Sequence, residues 1–194
     1  MKIFLIGFMG SGKTTIGRRL AERMGYSFVD TDLFIEMWQD KTIPEIFAQH
    51  GEAAFREMER YILLYLQSCE SVVISTGGGL PCYSDNMNIM LGQHVGAGLA
   101  PALAPALAPA PALATNKVVY LKVSPQTLTQ RLILSPTQRP LIKGKTEKEL
   151  LQYINVQLAN REQFYNQANI VIQTEKYSIE GVLESLTSQF IHNL

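Results

Sequence analysis

The stretch GFMGSGKT, at residues 7–14, has the composition and spacing of a phosphate-binding loop. The pattern G-x-x-x-x-G-K-[ST] is matched by Gly7, Gly12, Lys13 and Thr14. Glycines let backbone N–H groups approach a phosphate, the lysine reaches the β- and γ-phosphates, and the hydroxyl contacts Mg²⁺. The stretch follows the apolar run IFLI and precedes a predicted helix, which is the context such a loop requires. The sequence therefore predicts a nucleotide site with Mg²⁺ as its ion.

A phosphate-binding loop alone does not separate a kinase from a GTPase switch or a motor ATPase. A guanine-specific switch would need the motif N-K-x-D, whereas Asn116 and Lys117 are followed by two valines. A chain of 194 residues also leaves no room for an obvious large mechanical domain. A small-molecule kinase is therefore the favoured class.

Polar and glycine residues follow two predicted strands and mark an acceptor site. Asp30 and Asp32 end the second strand, and the run TGGG, at residues 76–79, ends the third. In doubly wound sheets ligands lie beyond the carboxyl ends of the strands, so these residues are expected near the phosphate loop. The aspartates could organise Mg²⁺ and accept a hydroxyl proton, or each could simply cap a helix. The glycines could admit a compact ligand, or form only a flexible turn.

Phosphoryl transfer also requires cations around the spreading negative charge. Arg56 lies three residues before Glu59, which places both on one helix face and lets Glu59 orient the arginine. A solvated helix pair would show the same spacing. Arg139 lies in the cationic loop SPTQRPLIKGK, where closure would exclude water from the phosphates. Arg161 lies on a long predicted helix and by itself is equally consistent with a surface charge.

Strands and helices are expected to alternate along the chain. Short apolar runs predict buried parallel strands at 3–6, 27–29, 72–75, 117–123 and 170–173. Periodicity and capping residues predict helices at 13–24, at 33–38, from 43 with an interruption at Gly51, at 52–67, from 125, at 146–167 and at 179–191. This order predicts an α/β fold with a parallel sheet.

Composition limits the partners. Lys+Arg and Asp+Glu both number 17, so no global field attracts nucleic acid or an anionic membrane. Cys69 and Cys82 have no metal-site or redox spacing, and free thiols in a reducing compartment are expected. No apolar run reaches membrane length, and the first residues are interpreted as a strand rather than a signal peptide. The expected location is the cytoplasm.

The segment 96–114 departs from this pattern because it contains only Gly, Ala, Leu and Pro. Its four prolines forbid a regular helix, and it has no charged side chain. We interpret the region at about 91–114 as an exposed, low-complexity insertion. Contact with a membrane or a partner through its leucines is the alternative.

Several collinear stretches together resemble the shikimate kinases, within the nucleoside-monophosphate-kinase-like group of P-loop enzymes. They are GFMGSGKTTIGRRLA, FVDTDLFIE, IPEIFAQHGEAAFREMER, VVISTGGGLPC, VVYLKVSP, QRPLI and NREQFYNQA. This family phosphorylates the 3-hydroxyl of shikimate with Mg-ATP, in chorismate and aromatic amino-acid biosynthesis. The resemblance implies a three-layer fold with a five-stranded parallel sheet, an acceptor-binding helical segment at about 32–60 and a mobile lid at about 135–145. It covers the whole chain, 1–194, as one domain, apart from the insertion.

The resemblance also implies residue roles. Catalysis is assigned to Lys13, Asp32 and Arg139. ATP binding is assigned to Gly10, Ser11, Gly12, Lys13, Thr14, Thr15 and Arg139, with Arg131 stacking on adenine. Shikimate binding is assigned to Asp32, Arg56, Gly77, Gly78, Gly79 and Arg161, the two arginines clamping the carboxylate. Thr14 would bind Mg²⁺ directly and Asp30 through water.

Two other functions remain open at this stage. A related kinase could act on another small hydroxy acid such as gluconate, which is also a carboxylate. A nucleotide-binding module or regulatory ATPase without transfer is less favoured, because every presumed catalytic position is filled. We expect a monomer, whose partners are ATP and the acceptor rather than nucleic acid or membrane.

Overall fold

Strands and helices alternate in the computed structural model, which describes residues 1–93, 116–135 and 140–191. The described strands are β1 (Lys2–Ile6), β2 (Ser27–Asp30), β3 (Val72–Ser75), β4 (Asn116–Lys122) and β5 (Ile170–Gln173). The described helices are α1 (Lys13–Met24), α2 (Thr31–Gln39), α3 (Ile43–Tyr65), α4 (Asn86–Met90), α5 (Pro125–Ile133), α6 (Glu147–Tyr165) and α7 (Ile179–Ile191). The segment 96–114 lies outside the described residues.

The five strands form one sheet in the order β2-β3-β1-β4-β5. Every neighbouring pair is parallel, and Lys2 is in register with both Val72 and Asn116. The predicted five-stranded parallel sheet is confirmed. Because all strands run the same way, their carboxyl ends meet at one edge, and the loops after β1, β2 and β3 lie side by side there.

Helices cover both faces of the sheet and bury two apolar clusters. Successive residues of β1 alternate between them, with Ile3 and Leu5 on one face and Phe4 and Ile6 on the other. The first face packs against α1 and α7. The second packs against helices that include α3, α5 and α6. The predicted three layers follow from this alternation.

Local capping chemistry sets most helix ends. Gly25 ends α1 in the left-handed conformation, with φ 66°, as the sequence predicts. Both predicted capping boxes form, since Glu45 accepts a hydrogen bond from the Thr42 backbone N–H and Glu149 from that of Thr146, each at 2.8 Å. These contacts begin α3 and α6 at the expected positions.

The main differences from the predicted helices lie in α2, α3 and α6. Asp30 caps α2, so this helix begins at Thr31, two residues before its apolar periodicity starts. Gly51 interrupts α3 as expected, with φ 77° and ψ 175°, but the helical hydrogen bonding resumes at once and the result is a kink. Helix α6 ends at Tyr165 rather than near Gln167.

Within the described ranges, no helix is long and apolar enough to span a membrane.

Candidate active site

The predicted phosphate loop connects β1 to α1 at the carboxyl edge of the sheet. Gly7, Gly10 and Gly12 have φ values of 139°, 82° and 95°, which L side chains rarely adopt. A Cβ at Gly7 would also lie 2.8 Å from the Leu121 carbonyl oxygen of β4. The strand–loop–helix arrangement that the motif requires is therefore present, and α1 directs its amino terminus at the loop.

A cavity of about 330 Å³ opens beside this loop. Gly10, Gly12, Lys13, Thr14 and Thr15 line one side, and Ser11 is buried at the base of the loop. Asp30, Asp32, Thr76 and Gly78 line the other side. The structure thus brings residues of three separate loops to one cavity, which is large enough for a small ligand.

Lys13 folds back onto its own loop. Its Nζ donates hydrogen bonds to the carbonyl oxygens of Gly7, at 2.8 Å, and Phe8, at 2.9 Å. The side chain is 9% exposed, so its charge is held by these oxygens rather than by water. Phosphate oxygens in the cavity would compete for the same ammonium group.

Asp30 caps α2 and also contacts Thr14. Its Oδ1 accepts from the backbone N–H of Asp32, at 3.2 Å, which caps α2. Its Oδ2 accepts from the Thr14 hydroxyl at 2.8 Å, so the two residues predicted to serve Mg²⁺ are in contact. A hydroxyl and a carboxylate are oxygen donors that suit Mg²⁺. No cluster of three or more His, Cys, Asp or Glu that could hold a metal occurs among the described residues.

Each glycine of the turn after β3 faces a different charged side chain. A Cβ at Gly77 would clash with Glu59 Oε1 and lie 2.7 Å from Asp32 Oδ1, and one at Gly79 would lie 2.7 Å from Arg56 Nη1. A Cβ at Gly78 would lie 3.6 Å from Arg161 Nη1. The backbone conformation here does not require glycine, but the space at Gly77 and Gly79 does. The turn therefore gathers the carboxylates of Asp32 and Glu59 and the guanidinium groups of Arg56 and Arg161, and its role in ligand binding stays a prediction.

Arg56 is held by a buried carboxylate. Its Nη1 donates to Glu59 at 2.6 Å and its Nη2 donates to Glu52 at 2.9 Å. The Glu59 side chain is 1% exposed, so the alternative of a solvated helix pair is wrong. Burial raises the pKa of Glu59 to about 7, and the nearby Arg56 opposes that rise. The geometry confirms that Glu59 orients Arg56.

Arg161 reaches the same turn from α6. Gln157, one helical turn earlier, accepts from its Nη2 at 2.9 Å, and its guanidinium lies 5.4 Å from the centroid of the Phe8 ring. These contacts hold the planar guanidinium of Arg161 beside the turn 77–79. The local sequence alone did not distinguish this arrangement from a surface charge.

Thr31 supports the turn, although sequence reasoning did not single it out. The hydroxyl of Thr31 is buried and accepts a hydrogen bond from the Gly77 backbone N–H at 2.9 Å. Its position between Asp30 and Asp32 could have indicated this role, because the three residues connect the end of β2 to the start of α2 at the site.

The predicted adenine side contains Arg131. Its Nη1 donates to the Gly10 carbonyl oxygen at 3.3 Å. It also lines a second cavity of about 280 Å³, together with Thr174, Tyr177 and Val182. Arg131 is therefore adjacent to the phosphate loop, and its contact with adenine stays a prediction. Arg139 lies outside the described residues, as do residues 136–138. The described chain resumes at the short 3₁₀ turn Pro140–Ile142.

Comparison with known proteins agrees with this geometry. A sequence profile described as shikimate kinase matches residues 9–191. A shikimate kinase of Azobacteroides pseudotrichonymphae is 42% identical over 186 residues, which cover 95% of this chain and 96% of the relative. The crystal structure of shikimate kinase from Bacteroides thetaiotaomicron superposes with a TM-score of 0.82 at 36% identity and covers 98% of each chain.

A second solved structure contains a ligand, and a more distant one shows how widely the fold extends. Shikimate kinase from Acinetobacter baumannii, in complex with shikimate, matches with a TM-score of 0.78 at 30% identity, over 99% of this chain and 93% of that one. Deoxyadenosine kinase from M. mycoides shares the fold with a TM-score of 0.57 at 19% identity. Because the profile and the relatives span nearly the whole chain, this protein belongs to the shikimate kinase family.

Proposed function

We propose that this protein transfers the γ-phosphoryl group of ATP to the 3-hydroxyl of shikimate and forms shikimate 3-phosphate. The observation that carries this proposal is the turn 77–79, around which Asp32, Arg56 and Arg161 converge. Asp32 and Gly78 also line the cavity that the phosphate loop forms. Two guanidinium groups fit a carboxylate, and Asp32 fits a hydroxyl. A relative with shikimate bound supports the same acceptor.

The phosphate loop would bind and orient the nucleotide. Lys13 would exchange its bonds to the Gly7 and Phe8 carbonyl oxygens for bonds to β- and γ-phosphate oxygens. Thr14 would hold Mg²⁺ directly, and Asp30 would hold it through water. When it is bound, the ion would neutralise part of the charge on the phosphates. Arg131 would contact the adenine, and Arg139 would cover the transferring phosphoryl group.

The acceptor residues would position one hydroxyl for in-line attack. Arg56 and Arg161 would clamp the carboxylate, and Asp32 would accept the proton of the reacting hydroxyl. The hydroxyl oxygen bonds to the γ-phosphorus while the bond from that phosphorus to the β–γ bridging oxygen breaks. ADP leaves with the electron pair.

A coupled assay of ADP release tests the proposal and its alternative. With Mg-ATP fixed, we expect release that requires shikimate, saturates with it and does not occur with gluconate. We expect Lys13→Ala and Asp32→Asn to lower kcat by at least about a hundredfold, since positioned acid–base and electrostatic groups typically supply factors of that size. The wild type and both variants should elute identically in size-exclusion chromatography, which controls for misfolding.

Three results would count against the assignment. Release with gluconate alone would keep the kinase and replace the acceptor. Release without any acceptor would indicate an ATPase. Near-normal turnover of Asp32→Asn with shikimate would remove the proton-accepting role of that residue.

We also expect a cytoplasmic monomer. The two cysteines are free, as expected in a reducing compartment. Light scattering coupled to size-exclusion chromatography should give a mass near 21.7 kDa; twice that mass would overturn the monomer.

A further inference from the structure

Tyr165 is a buried polar residue that the mechanism above does not use. It is the last residue of α6 and is 0% exposed. It lies four residues after Arg161, so both side chains point from the same face of the helix. The sheet-facing side of α6 thus carries a phenol next to the proposed carboxylate clamp.

The Tyr165 hydroxyl is bonded to the acceptor turn. It donates a hydrogen bond to the carbonyl oxygen of Gly78 at 2.5 Å. A Cβ added at Gly78 would also lie 3.6 Å from Arg161 Nη1. One helix therefore contacts the same glycine twice, through the hydroxyl of Tyr165 and through the guanidinium of Arg161.

The tyrosine ring is fixed from the other side. Its centroid lies 5.0 Å from that of Tyr120 on β4, at an interplanar angle of 43°, and both rings belong to the larger apolar cluster. Burial raises the pKa of Tyr165, so the phenol stays protonated and remains a donor. A rigid ring with a permanent donor is suited to hold a backbone carbonyl in one place.

Two other side chains hold the turn but do not connect it to α6. The Gly77 N–H donates to Thr31 on α2, and Asn86 on α4 donates to the Leu80 carbonyl oxygen at 2.9 Å. Among the hydrogen bonds of the described residues, the one from Tyr165 links the turn to the helix that carries Arg161.

We propose that Tyr165 is a positioning residue for the acceptor: its hydrogen bond to Gly78 keeps the triple-glycine turn in register with Arg161. This inference rests on the proposed role of Arg161 and the turn in binding the acceptor carboxylate. The nucleotide side of the cavity also has anchors of its own, the hydrogen bonds from Lys13 to the carbonyl oxygens of Gly7 and Phe8.

Tyr165→Phe tests the inference because it keeps the ring and removes only the donor. We expect the KM for shikimate to rise about three- to tenfold, the usual effect of losing one buried hydrogen bond. The KM for ATP should stay within twofold of the wild-type value. Tyr153→Phe is the matched control, since Tyr153 lies on the same helix but its ring contacts Lys145; it should leave both constants unchanged.

Arg161→Ala separates failure of this inference from failure of the proposed function. Unchanged shikimate KM values in both Arg161→Ala and Tyr165→Phe would overturn the clamp and the inference with it. A raised KM in Arg161→Ala together with a wild-type KM in Tyr165→Phe would overturn the inference alone. Equal rises of the ATP and shikimate KM values in Tyr165→Phe, with a lower melting temperature, would show a merely structural role and also overturn it.

Discussion

Glu59 shows how burial of a single side chain connects the site to stability. Its carboxylate lies between α3 and the turn 77–79 and pairs with Arg56 at 2.6 Å. Burial raises its pKa to about 7 from an ordinary value of 4.5, against the opposing effect of Arg56. The folded state therefore binds a proton at Glu59 more tightly than the unfolded chain does.

Stability should consequently fall as the pH rises through this range. Below pH 4.5 Glu59 is protonated in both states, and between 4.5 and about 7 the unfolded chain releases its proton first, which favours unfolding. We expect the urea midpoint of the wild type to decrease between pH 5 and pH 8 relative to that of Glu59→Gln, which cannot titrate at this position. Parallel pH profiles of the two proteins would contradict the raised pKa.

At the scale of elements, the lack of side chains at residues 77–79 lets charged groups from several helices approach the backbone of this turn. Arg56, Asp32 and Arg161 come from three helices, α3, α2 and α6, and each approaches a different glycine. Glu59, also on α3, lies beside Asp32 at Gly77, so the glycines allow four charged groups to surround one short backbone segment.

Gly79→Ala should disturb one of these groups selectively. The added methyl would lie 2.7 Å from Arg56 Nη1, the atom that donates to Glu59, so the guanidinium must move. We expect the KM for shikimate to rise about tenfold or more, the scale of a lost charged hydrogen bond, with little change for ATP. Gly181→Ala on α7 is the control, because its methyl would meet only ordinary contacts at 3.5 Å. An unaltered shikimate KM in Gly79→Ala would exclude Arg56 from acceptor binding.

At the scale of the whole molecule, the described residue that follows 94–115 lies at the edge of the sheet opposite the site. Asn116 begins β4 and pairs with Lys2, whereas the site lies beyond the carboxyl ends of the strands, about 16 Å away at the usual rise for five residues. Gly92 lies close to Asn116, since a Cβ added at Gly92 would lie 3.7 Å from the side-chain nitrogen Nδ2 of Asn116. The two described ends are thus near enough for a short connection.

Deletion of residues 96–114 should therefore leave kcat and both KM values within about threefold of wild type, since the cost of loop closure changes only slowly with length. The coupled ADP assay measures this, and circular dichroism checks that the deletant is folded. A folded deletant without activity would show that the segment takes part in function.

Local patterns predicted the elements because their causes lie within a few residues. Continuous apolar runs predicted the five parallel strands, and Ser, Thr and Gly capping residues predicted helix ends at Gly25, Thr42 and Thr146. The phosphate loop was predicted from its own eight residues and their flanking strand and helix. The boundary of α2 was missed because Asp30, named as a site residue, also caps the helix.

The sequence by itself determined the fold class, the nucleotide loop and, through collinear motifs, the family. Tertiary structure decided which long-range neighbours act together: that Glu59 is buried against Arg56, that Arg161 faces Gly78 rather than solvent, and that Tyr165 bonds to the same glycine. Burial and contact between residues that are tens of positions apart depend on how α3 and α6 pack against the carboxyl edge of the sheet. No local pattern contains that packing, because it arises only when the layers close around their common core.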